Sequence, residues 1–298
     1  MSKSFVWPLH GAKVDSEGRL VIPGFRPPLP KPNRVALNLV WTRSQAIDLA
    51  ERAGAEFEID EDEIRLKVAG IEAILRDTVD VSVAHEIFVG RVWKFELPGS
   101  LLVLDVGSNI GLASLSFLST HDAEVWAFDL VPSTARLARA NLDLNPQLAA
   151  RAKVFEYGLS DSDREFDLSV DPDHRVDNSI FTEKRGSGSV IEKVAVRDAG
   201  GVLREALDQL NGRKLVMKLD AEGAEYEILE RLSNLGLLGK IDLLLLEWHV
   251  RPDRDPEEIR KLLRGAGYFW TEHESESFPV GFLSAYRPAP AAAQTTKR

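Results

Sequence analysis

A glycine-rich turn that follows an apolar run is the segment of this chain whose residues best predict chemistry. Residues 101–111 read Leu-Leu-Val-Leu-Asp-Val-Gly-Ser-Asn-Ile-Gly. The run Leu101–Val106 is apolar on both faces apart from Asp105, which is typical of a strand buried in a parallel sheet. Gly107 and Gly111 allow the backbone positive φ angles and let a ligand approach closely. We therefore expect a nucleotide-type ligand at the carboxyl end of this strand.

The composition of the turn narrows the class of ligand. Its pattern is Gly-x-Asn-x-Gly, in which Ser108 and Asn109 lie between the two glycines. Asn109 takes the place of the middle glycine of the dinucleotide fingerprint, and the Gly-Lys-[Ser/Thr] of a P-loop is absent. The turn carries an acid, Asp105, and no nearby lysine or arginine. These features favour a ligand with a positive charge. S-adenosylmethionine fits this requirement, because it carries a sulfonium and an α-ammonium group.

A second acid lies at a spacing that suits an adenosine ligand. Residues 124–129 read as a strand that ends in Asp129, 18 residues after Gly111. An acid at the end of the second strand typically accepts hydrogen bonds from ribose hydroxyls. Pro132 then opens a helix, as proline does at a first helical position. We therefore expect Asp129 to contact the ribose.

Two later strands, predicted at 214–220 and 241–247, also end in polar residues. Ligands of open parallel sheets lie beyond the carboxyl ends of the strands, so Asp220 is expected beside the first two acids. Lys218 shares the face of Asp220 and either forms a structural ion pair with it or orients a methyl acceptor and lowers the acceptor's pKa. His249 is interpreted either as a base near neutral pH or as a half-exposed histidine.

The same edge of the sheet makes a metal site a further prediction. Asp220, Glu222 and Glu247, together with His249, offer the oxygen-rich ligands that Mg²⁺ or another divalent ion takes. Glu222 and Glu225 also lie at the start of the next helix, where acids interact favourably with the helix dipole. Both interpretations of the glutamates stay open at the level of sequence.

Strand and helix patterns alternate from residue 101 onward. A third strand is predicted at 153–158, between the ribose acid and the strand at 214–220. The alternation predicts a parallel sheet with right-handed crossovers. Two closing strands, at 268–272 and 280–286, are expected to form an antiparallel pair.

The other segments surround a core domain expected at residues 99–287. Residues 1–98 are predicted to be an N-terminal extension packed on the core, with a proline-rich start, a helix and a hairpin, then short strands or turns at 70–98. An insertion at 162–199 interrupts the alternation and is expected where a substrate lid would lie. The tail 288–298 is expected to be disordered.

Composition excludes several classes of protein. The chain has 298 residues, a formal net charge of −10 and no cysteine. An acidic chain is a poor nucleic-acid binder, since phosphate contacts need clustered lysine and arginine, and the lack of cysteine excludes disulfides and thiolate zinc sites. There is no apolar run long enough for a membrane-spanning helix or a secretory signal. We expect a cytoplasmic protein with a small-molecule partner, and the oligomeric state is left open.

The assembled motifs resemble the FkbM family of S-adenosylmethionine-dependent methyltransferases. Five segments carry the resemblance: Leu-Asp-Val-Gly-Ser-Asn-Ile-Gly at 104–111, Phe-Asp-Leu-Val-Pro at 128–132, Tyr-Gly-Leu-Ser-Asp at 157–161, Val-Met-Lys-Leu-Asp-Ala-Glu-Gly-Ala-Glu at 216–225 and Leu-Leu-Glu-Trp-His at 245–249. The pattern Lys-x-Asp-x-Glu-Gly-x-Glu is the most specific of these. The resemblance covers roughly residues 85–250.

The resemblance implies a Rossmann-like class I methyltransferase core, with a mostly parallel seven-stranded sheet and helices on both faces. It also implies O-methylation of a hydroxyl on a sugar, glycolipid or polyketide-type small molecule. By analogy, Ser160 or Asp161 approaches the adenine. The chain departs from the family at Phe128-Asp129-Leu130, where Phe-Glu-Pro is common, so its acid is one methylene shorter.

Two other functions share parts of this pattern. A nicotinamide-dependent oxidoreductase has the same sheet and ribose acid, but Asn109 hinders the close approach of a pyrophosphate. A non-catalytic protein that keeps the adenosine pocket would use the fold to bind partners. Turnover with a hydroxylated acceptor separates a methyltransferase from both.

Overall fold

The computed structural model divides the chain into two compact units, Met1–Val92 and Trp93–Arg298. It describes residues 13–14, 20–21, 43–59, 64–170, 190–275 and 279–287. Most of the proline-rich segment, the tip of the predicted hairpin, the centre of the insertion and the predicted disordered tail lie outside these residues.

The described part of the first unit contains a small antiparallel sheet and two helices. In chain order its elements are β1 (Lys13–Val14), β2 (Leu20–Val21), α1 (Arg43–Ala53), β3 (Glu56–Ile59), β4 (Ile64–Val68), β5 (Ile71–Leu75), α2 (Thr78–His85) and a π-helical turn (Glu86–Gly90). The predicted hairpin corresponds to β3 and β4, and β5 extends it. The prediction of short strands or turns throughout 70–98 is wrong, because α2 lies there. Asp77 caps that helix by accepting hydrogen bonds from the backbone N–H groups of Val79 and Asp80.

The second unit is built around one large sheet. Its strands are β6 (Leu101–Val106), β7 (Ala123–Phe128), β8 (Ala152–Phe155), β9 (Gly158–Ser160), β10 (Arg164–Val170), β11 (Val190–Asp198), β12 (Lys214–Leu219), β13 (Leu243–His249), β14 (Phe269–Glu274) and β15 (Val280–Tyr286). Seven of them form a sheet in the order β14-β15-β13-β12-β6-β7-β8. Strand β15 runs opposite to the other six, which confirms the antiparallel closing pair.

Helices pack on both faces of this sheet. They are α3 (Leu112–Thr120), α4 (Pro132–Asp143), α5 (Pro146–Ala149), α6 (Ala199–Asp208), α7 (Glu225–Asn234), a short 3₁₀ turn (Leu238–Lys240) and α8 (Pro256–Gly265). Alternate residues of β6 join a core with α6, α7 and α8, while Asp105 faces the other way and meets Ser114 of α3. The predicted fold, a mostly parallel seven-stranded sheet with helices on both faces, is confirmed.

The third strand and the insertion differ from the sequence prediction. The expected single strand at 153–158 is divided into β8, at the edge of the large sheet, and β9, which pairs in parallel with β11. Strands β10 and β11 form an antiparallel hairpin, so β9, β10 and β11 make a separate three-stranded sheet. The chain leaves the large sheet after β8, because β9 forms its strand pairing with β11 of the insertion.

No helix in the described part of the chain is long and apolar enough to cross a membrane.

Candidate active site

The glycine turn lies where the strand order of the large sheet reverses, between β6 and β12. Ligands of open α/β sheets bind at such switch points. Gly107, Asn109 and Gly111 all have positive φ angles, of 76°, 49° and 83°. A Cβ atom on Gly107 would collide with the backbone oxygen of Asp220. Glycine is therefore required at 107 by the neighbouring strand as well as by its own backbone conformation.

Lys218 connects this turn to the end of β12. Its Nζ donates a hydrogen bond to the Gly107 carbonyl at 2.6 Å, and it lies 3.2 Å from Oδ2 of Asp220 and 3.4 Å from Oδ1 of Asp105. Burial disfavours the ammonium form, but the carboxylates of Asp220 and Asp105 outweigh it and hold the pKa of Lys218 above its usual range. Its donors therefore hold the turn together, and a role of Lys218 in orienting an acceptor or lowering the acceptor's pKa stays a prediction.

The position of Lys218 corrects the charge argument made from the sequence. The turn was expected to hold an acid with no lysine or arginine near it, but the Lys218 ammonium faces Asp105. Asp105 is completely buried, and its Oδ2 accepts a hydrogen bond from the Ser114 hydroxyl at 2.6 Å. Its charge faces Lys218 inside the protein, and its contact with a cofactor stays a prediction.

Asp129 lies at the carboxyl end of β7 and is tied to the glycine turn. Its Oδ2 accepts a hydrogen bond from the Asn109 N–H at 2.8 Å, and its Oδ1 accepts one from the Val131 N–H at 3.0 Å. The side chain is largely buried. The carboxylate thus fixes the two loops that follow β6 and β7 relative to each other, and its contact with a ribose stays a prediction.

Ser108 provides a sign that this turn is built for a ligand. The residue is 3% exposed, and its hydroxyl has no hydrogen-bond partner among the described residues. A buried hydroxyl without a partner costs free energy, and such groups call for a physical explanation. A polar ligand in the turn would supply the missing partner, which fits the predicted cofactor.

The loop after β12 is organised by a fully buried carboxylate, Glu225. Its Oε1 accepts hydrogen bonds from the backbone N–H groups of Ala221 and Gly223, at 2.7 and 3.2 Å. Between them, Glu222 has a φ angle of +50°. Glu225 thus holds the loop that carries Asp220 and Glu222 in a conformation that is unusual for a residue other than glycine. The sequence pattern indicates only a helix-dipole interaction for Glu225, because its partners lie in a loop whose conformation local patterns do not predict.

His249 lies between two carboxylates. Its Nδ1 lies 3.1 Å from Oε1 of Glu225, and its Nε2 lies 3.5 Å from Oε2 of Glu222. Burial disfavours the imidazolium, but the hydrogen bond and charge of Glu225 outweigh it and raise the pKa of His249 to about 10. A raised pKa disfavours the interpretation of His249 as a base near neutral pH, and its catalytic role stays a prediction.

The carboxylates predicted as metal ligands are brought together only in part. Asp220, Glu222 and His249 each offer one ligand atom, and these atoms lie within 4.8 Å of one another. Glu247 is not in this group among the described residues. Two oxygens and one imidazole nitrogen suit several divalent ions, and metal binding stays a prediction.

Ser160 and Asp161 lie at the end of β9. Ser160 is fully buried, and its hydroxyl oxygen accepts a hydrogen bond from Arg164 at 2.6 Å. The same guanidinium lies 3.0 Å from Oδ1 of Asp161. Arg164 therefore fixes both residues in place, and their approach to an adenine stays a prediction.

The described strands of the insertion pack beside the Asp129 loop. Glu192 of β11 accepts hydrogen bonds from the backbone N–H of Ser133, at 3.1 Å, and from the Ser133 hydroxyl, at 2.5 Å. A small apolar cluster joins the hairpin to the same loop; its buried members are Val131, Leu168, Val170 and Val194. These contacts attach the hairpin to the predicted ribose side of the turn, and the role of the insertion as a substrate lid stays a prediction.

Comparison with known protein families shows the family to which the chain belongs. Residues 105–269, more than half of the chain, match the model of the methyltransferase FkbM domain. The chain belongs to the FkbM methyltransferase family. The matched segment runs from the acid of β6 through the loop of Glu225 to the start of β14, so it includes the glycine turn and Asp220. The core of the second unit is accordingly a Rossmann-like class I methyltransferase core.

Curated relatives include proteins named as methyltransferases. The chain is 27% identical to methyltransferase sdnD of Sordaria araneosa over 66% of this chain and 85% of that protein. It is 29% identical to the hexuronic acid methyltransferase AglP of Haloferax volcanii over 54% of this chain and 61% of that protein. It is also 29% identical to the AMB antimetabolite synthetase AmbE of Pseudomonas aeruginosa over 57% of this chain, a match that spans a tenth of AmbE.

Solved structures with a similar chain path are more distant. The N-terminal domain of human METTL16 in complex with SAH is 13% identical, covers 93% of this chain and 88% of that chain, and gives a TM-score of 0.39. The human methyltransferase 10 domain containing protein is also 13% identical, covers 83% of this chain and 96% of that chain, and gives a TM-score of 0.41.

Proposed function

We propose that this FkbM-family protein is an S-adenosylmethionine-dependent methyltransferase that O-methylates a hydroxyl of a sugar, glycolipid or polyketide-type small molecule. The observation that carries the proposal is the glycine turn at the switch point of the sheet, tied to the carboxylate of Asp129 and containing the buried, unpartnered hydroxyl of Ser108. S-adenosylmethionine would place its ribose at this acid, as dinucleotides do at the acid after the second strand, and its amino-acid portion at the turn.

S-adenosylmethionine, when bound, supplies a methyl group on a positively charged sulfur. The carboxylate of Asp129 and the Asn109 part of the glycine turn would hold its ribose side, and the Gly107 end of the turn, held by Lys218, would hold its amino-acid side. In the reaction, the acceptor oxygen forms a bond to the methyl carbon, the carbon–sulfur electron pair stays on sulfur, and the hydroxyl proton leaves the acceptor. Much of the acceleration comes from holding the acceptor in line with the methyl group, which is worth ~7–11 kcal/mol in oriented reactants.

Asp220 is the residue we propose as the acceptor of that proton. Its side chain is 24% exposed, and Lys218 contacts its Oδ2. Its Oδ1 has no hydrogen-bond partner among the described residues and is available to a substrate hydroxyl. His249, as a protonated group beside Glu222, would donate hydrogen bonds to the acceptor or its neighbours and would not remove a proton.

The first experiment is a calorimetric titration of S-adenosylhomocysteine into the purified protein. We expect micromolar binding that Asp129→Asn weakens about 10- to 100-fold, because a hydrogen bond to a charged group contributes about 1.5–3 kcal/mol. Asp143→Asn, an exposed position on α4 in the same part of the fold, is the matched control and should bind like the unmodified protein.

The outcomes of this titration separate the candidate functions. No binding to the folded protein would contradict the proposal and favour a protein that acts through partners. Binding without methyl transfer to any hydroxylated acceptor would favour a non-catalytic adenosine-binding protein. Binding of NAD(H) in place of S-adenosylhomocysteine would favour an oxidoreductase.

A further inference from the structure

Three aromatic side chains form a row that begins at the buried ion pairs of the candidate site. The ring of Trp93 lies 5.2 Å from the Nζ of Lys218. Trp93 meets Phe282 edge to face, with ring centroids 5.9 Å apart and planes inclined at 62°. Phe282 in turn stacks on His273, with centroids 5.2 Å apart. We call these three residues the aromatic row.

The register of the sheet places the row on the same face as the candidate base. Lys218 lies opposite Leu245 of β13, so Glu247, two residues further on, points to the face of Lys218 and Asp220. Glu247 lies opposite Phe282, and Phe282 lies opposite His273. The row therefore borders Asp220 at the carboxyl edge of the sheet, where ligands of this fold bind.

None of these three rings is fully buried. Trp93 and Phe282 are half-buried, and His273 is exposed. The neighbouring Trp248 points to the opposite face and is 4% exposed within the core, where it packs with α7 and α8. Large rings that stay partly exposed beside a polar site are typical of ligand pockets, in which apolar surface binds and a few polar groups orient.

The shape and composition of the edge indicate the class of ligand. The ring planes of Trp93 and Phe282 are inclined to each other and form a corner, in contrast to two parallel stacked rings. The carboxylates of Asp220 and Glu247 lie beside that corner. A pyranose ring has an apolar C–H face that packs on an aromatic surface and a rim of hydroxyls that donate hydrogen bonds to carboxylates. A flat phenol fills a parallel slot and has few hydroxyls to donate.

We infer that the aromatic row is the acceptor platform of this enzyme, on which a glycosyl ring packs its C–H face while one of its hydroxyls points to Asp220. The inference rests on the proposed methyltransferase function and assigns the residues that recognise the acceptor. Trp93 contributes most, because it lies closest to the ion pairs that hold the glycine turn. The platform binds the acceptor, and the turn and Asp129 bind the cofactor.

Fluorine NMR of the intact protein labelled with 5-fluorotryptophan tests the platform. The chain has six tryptophans, and the Trp93→Phe variant assigns the signal of Trp93. The protein is saturated with S-adenosylhomocysteine and titrated with the methyl glycosides of glucose, mannose, galactose and N-acetylglucosamine, and separately with catechol. We expect a glycoside to shift the Trp93 signal and Trp93→Ala to weaken glycoside binding about tenfold.

Two controls make the result specific. Trp93→Ala should leave the affinity for S-adenosylhomocysteine within a factor of about two, which separates acceptor binding from cofactor binding and from misfolding. Trp270→Phe is the matched tryptophan variant, because Trp270 lies on β14 and packs against the core on the other side of the sheet. It should bind glycosides normally.

Each remaining outcome counts against the inference. A protein that binds S-adenosylhomocysteine but shows no change at Trp93 with any glycoside contradicts the platform and leaves the proposed function intact. A shift with catechol alone contradicts a glycosyl acceptor. Failure of the protein to bind S-adenosylhomocysteine would contradict the proposed function itself, and therefore also the inferred acceptor platform.

Discussion

At the scale of single residues, the decisive contrast lies between Asp220 and its two charged neighbours. Lys218 directs its ammonium group at the turn and at two carboxylates, and His249 lies between two glutamates. The Asp220 side chain contacts Lys218 through Oδ2 and stays 24% exposed. A general base typically adds ~10²–10⁴-fold to a rate, so we expect Asp220→Asn to lower kcat by about that factor.

The test of Asp220 is a measurement of methyl transfer at saturating substrates beside the affinity for S-adenosylhomocysteine. The affinity should stay within a factor of about three, because the base acts on the acceptor. Asp208→Asn, on the exposed side of α6, is the control variant. Full turnover by Asp220→Asn would mean that the acceptor loses its proton to another group or to water.

At the scale of elements, the hairpin of β10 and β11 acts as a support for the predicted ribose loop. Glu192 holds the first turn of α4 through Ser133, directly after the loop that Asp129 organises. We expect Glu192→Ala to weaken binding of S-adenosylhomocysteine about 2- to 10-fold, since each hydrogen bond contributes ~0.5–1.5 kcal/mol. Calorimetry gives the change.

Glu165 provides the matched control for this prediction. It lies on the same hairpin, is exposed, and pairs with Arg197 away from the ribose loop. Glu165→Ala should bind S-adenosylhomocysteine as the unmodified protein does. Equal affinities of the Glu192 and Glu165 variants for S-adenosylhomocysteine would show that the hairpin does not support the loop that binds the cofactor.

At the scale of the whole molecule, Glu124 joins three segments at the amino edge of the sheet, opposite the site. Its carboxylate accepts hydrogen bonds from Trp126 and Arg213, at 2.7 Å each, and lies 3.2 Å from Lys153. Burial disfavours the charged form, but these partners outweigh it and lower the pKa of Glu124 to about 2. A carboxylate with a lowered pKa stabilises the fold above its unfolded-state pKa and loses this effect as the pH falls.

The pH dependence of stability therefore has a definite sign. We expect Glu124→Gln to have a lower Tm than the unmodified protein at neutral pH. The difference should shrink between about pH 5 and pH 2, because the native carboxylate becomes protonated there too. Thermal unfolding of both proteins across this pH range is the measurement, and a difference independent of pH would contradict a role for the charge.

Much of the fold follows from local sequence patterns. Strand β6 and its glycine turn, strand β7 and the acid after it, and the antiparallel closing pair were all predicted from contiguous residues, because hydrophobic period and turn chemistry act over a few positions. Helix α2 was missed although Asp77 is a good cap, since the eight residues that follow it are rich in β-branched types. The break between β8 and β9 was missed because it depends on the distant strand β11.

The sequence by itself determined the family, the sheet and the positions of the acids at the carboxyl edge of that sheet, because short contiguous motifs are enough to predict each of them. Only the tertiary structure decided which neighbours those acids and bases have. Lys218 reaches Gly107 across 111 positions of the chain, and through that contact it balances Asp105 and secures the turn. The charge of His249 and the placing of Trp93 beside Lys218 likewise depend on strand pairing between distant segments. A side chain's protonation and role are set by its neighbours in space, and those neighbours are fixed only when the sheet has formed.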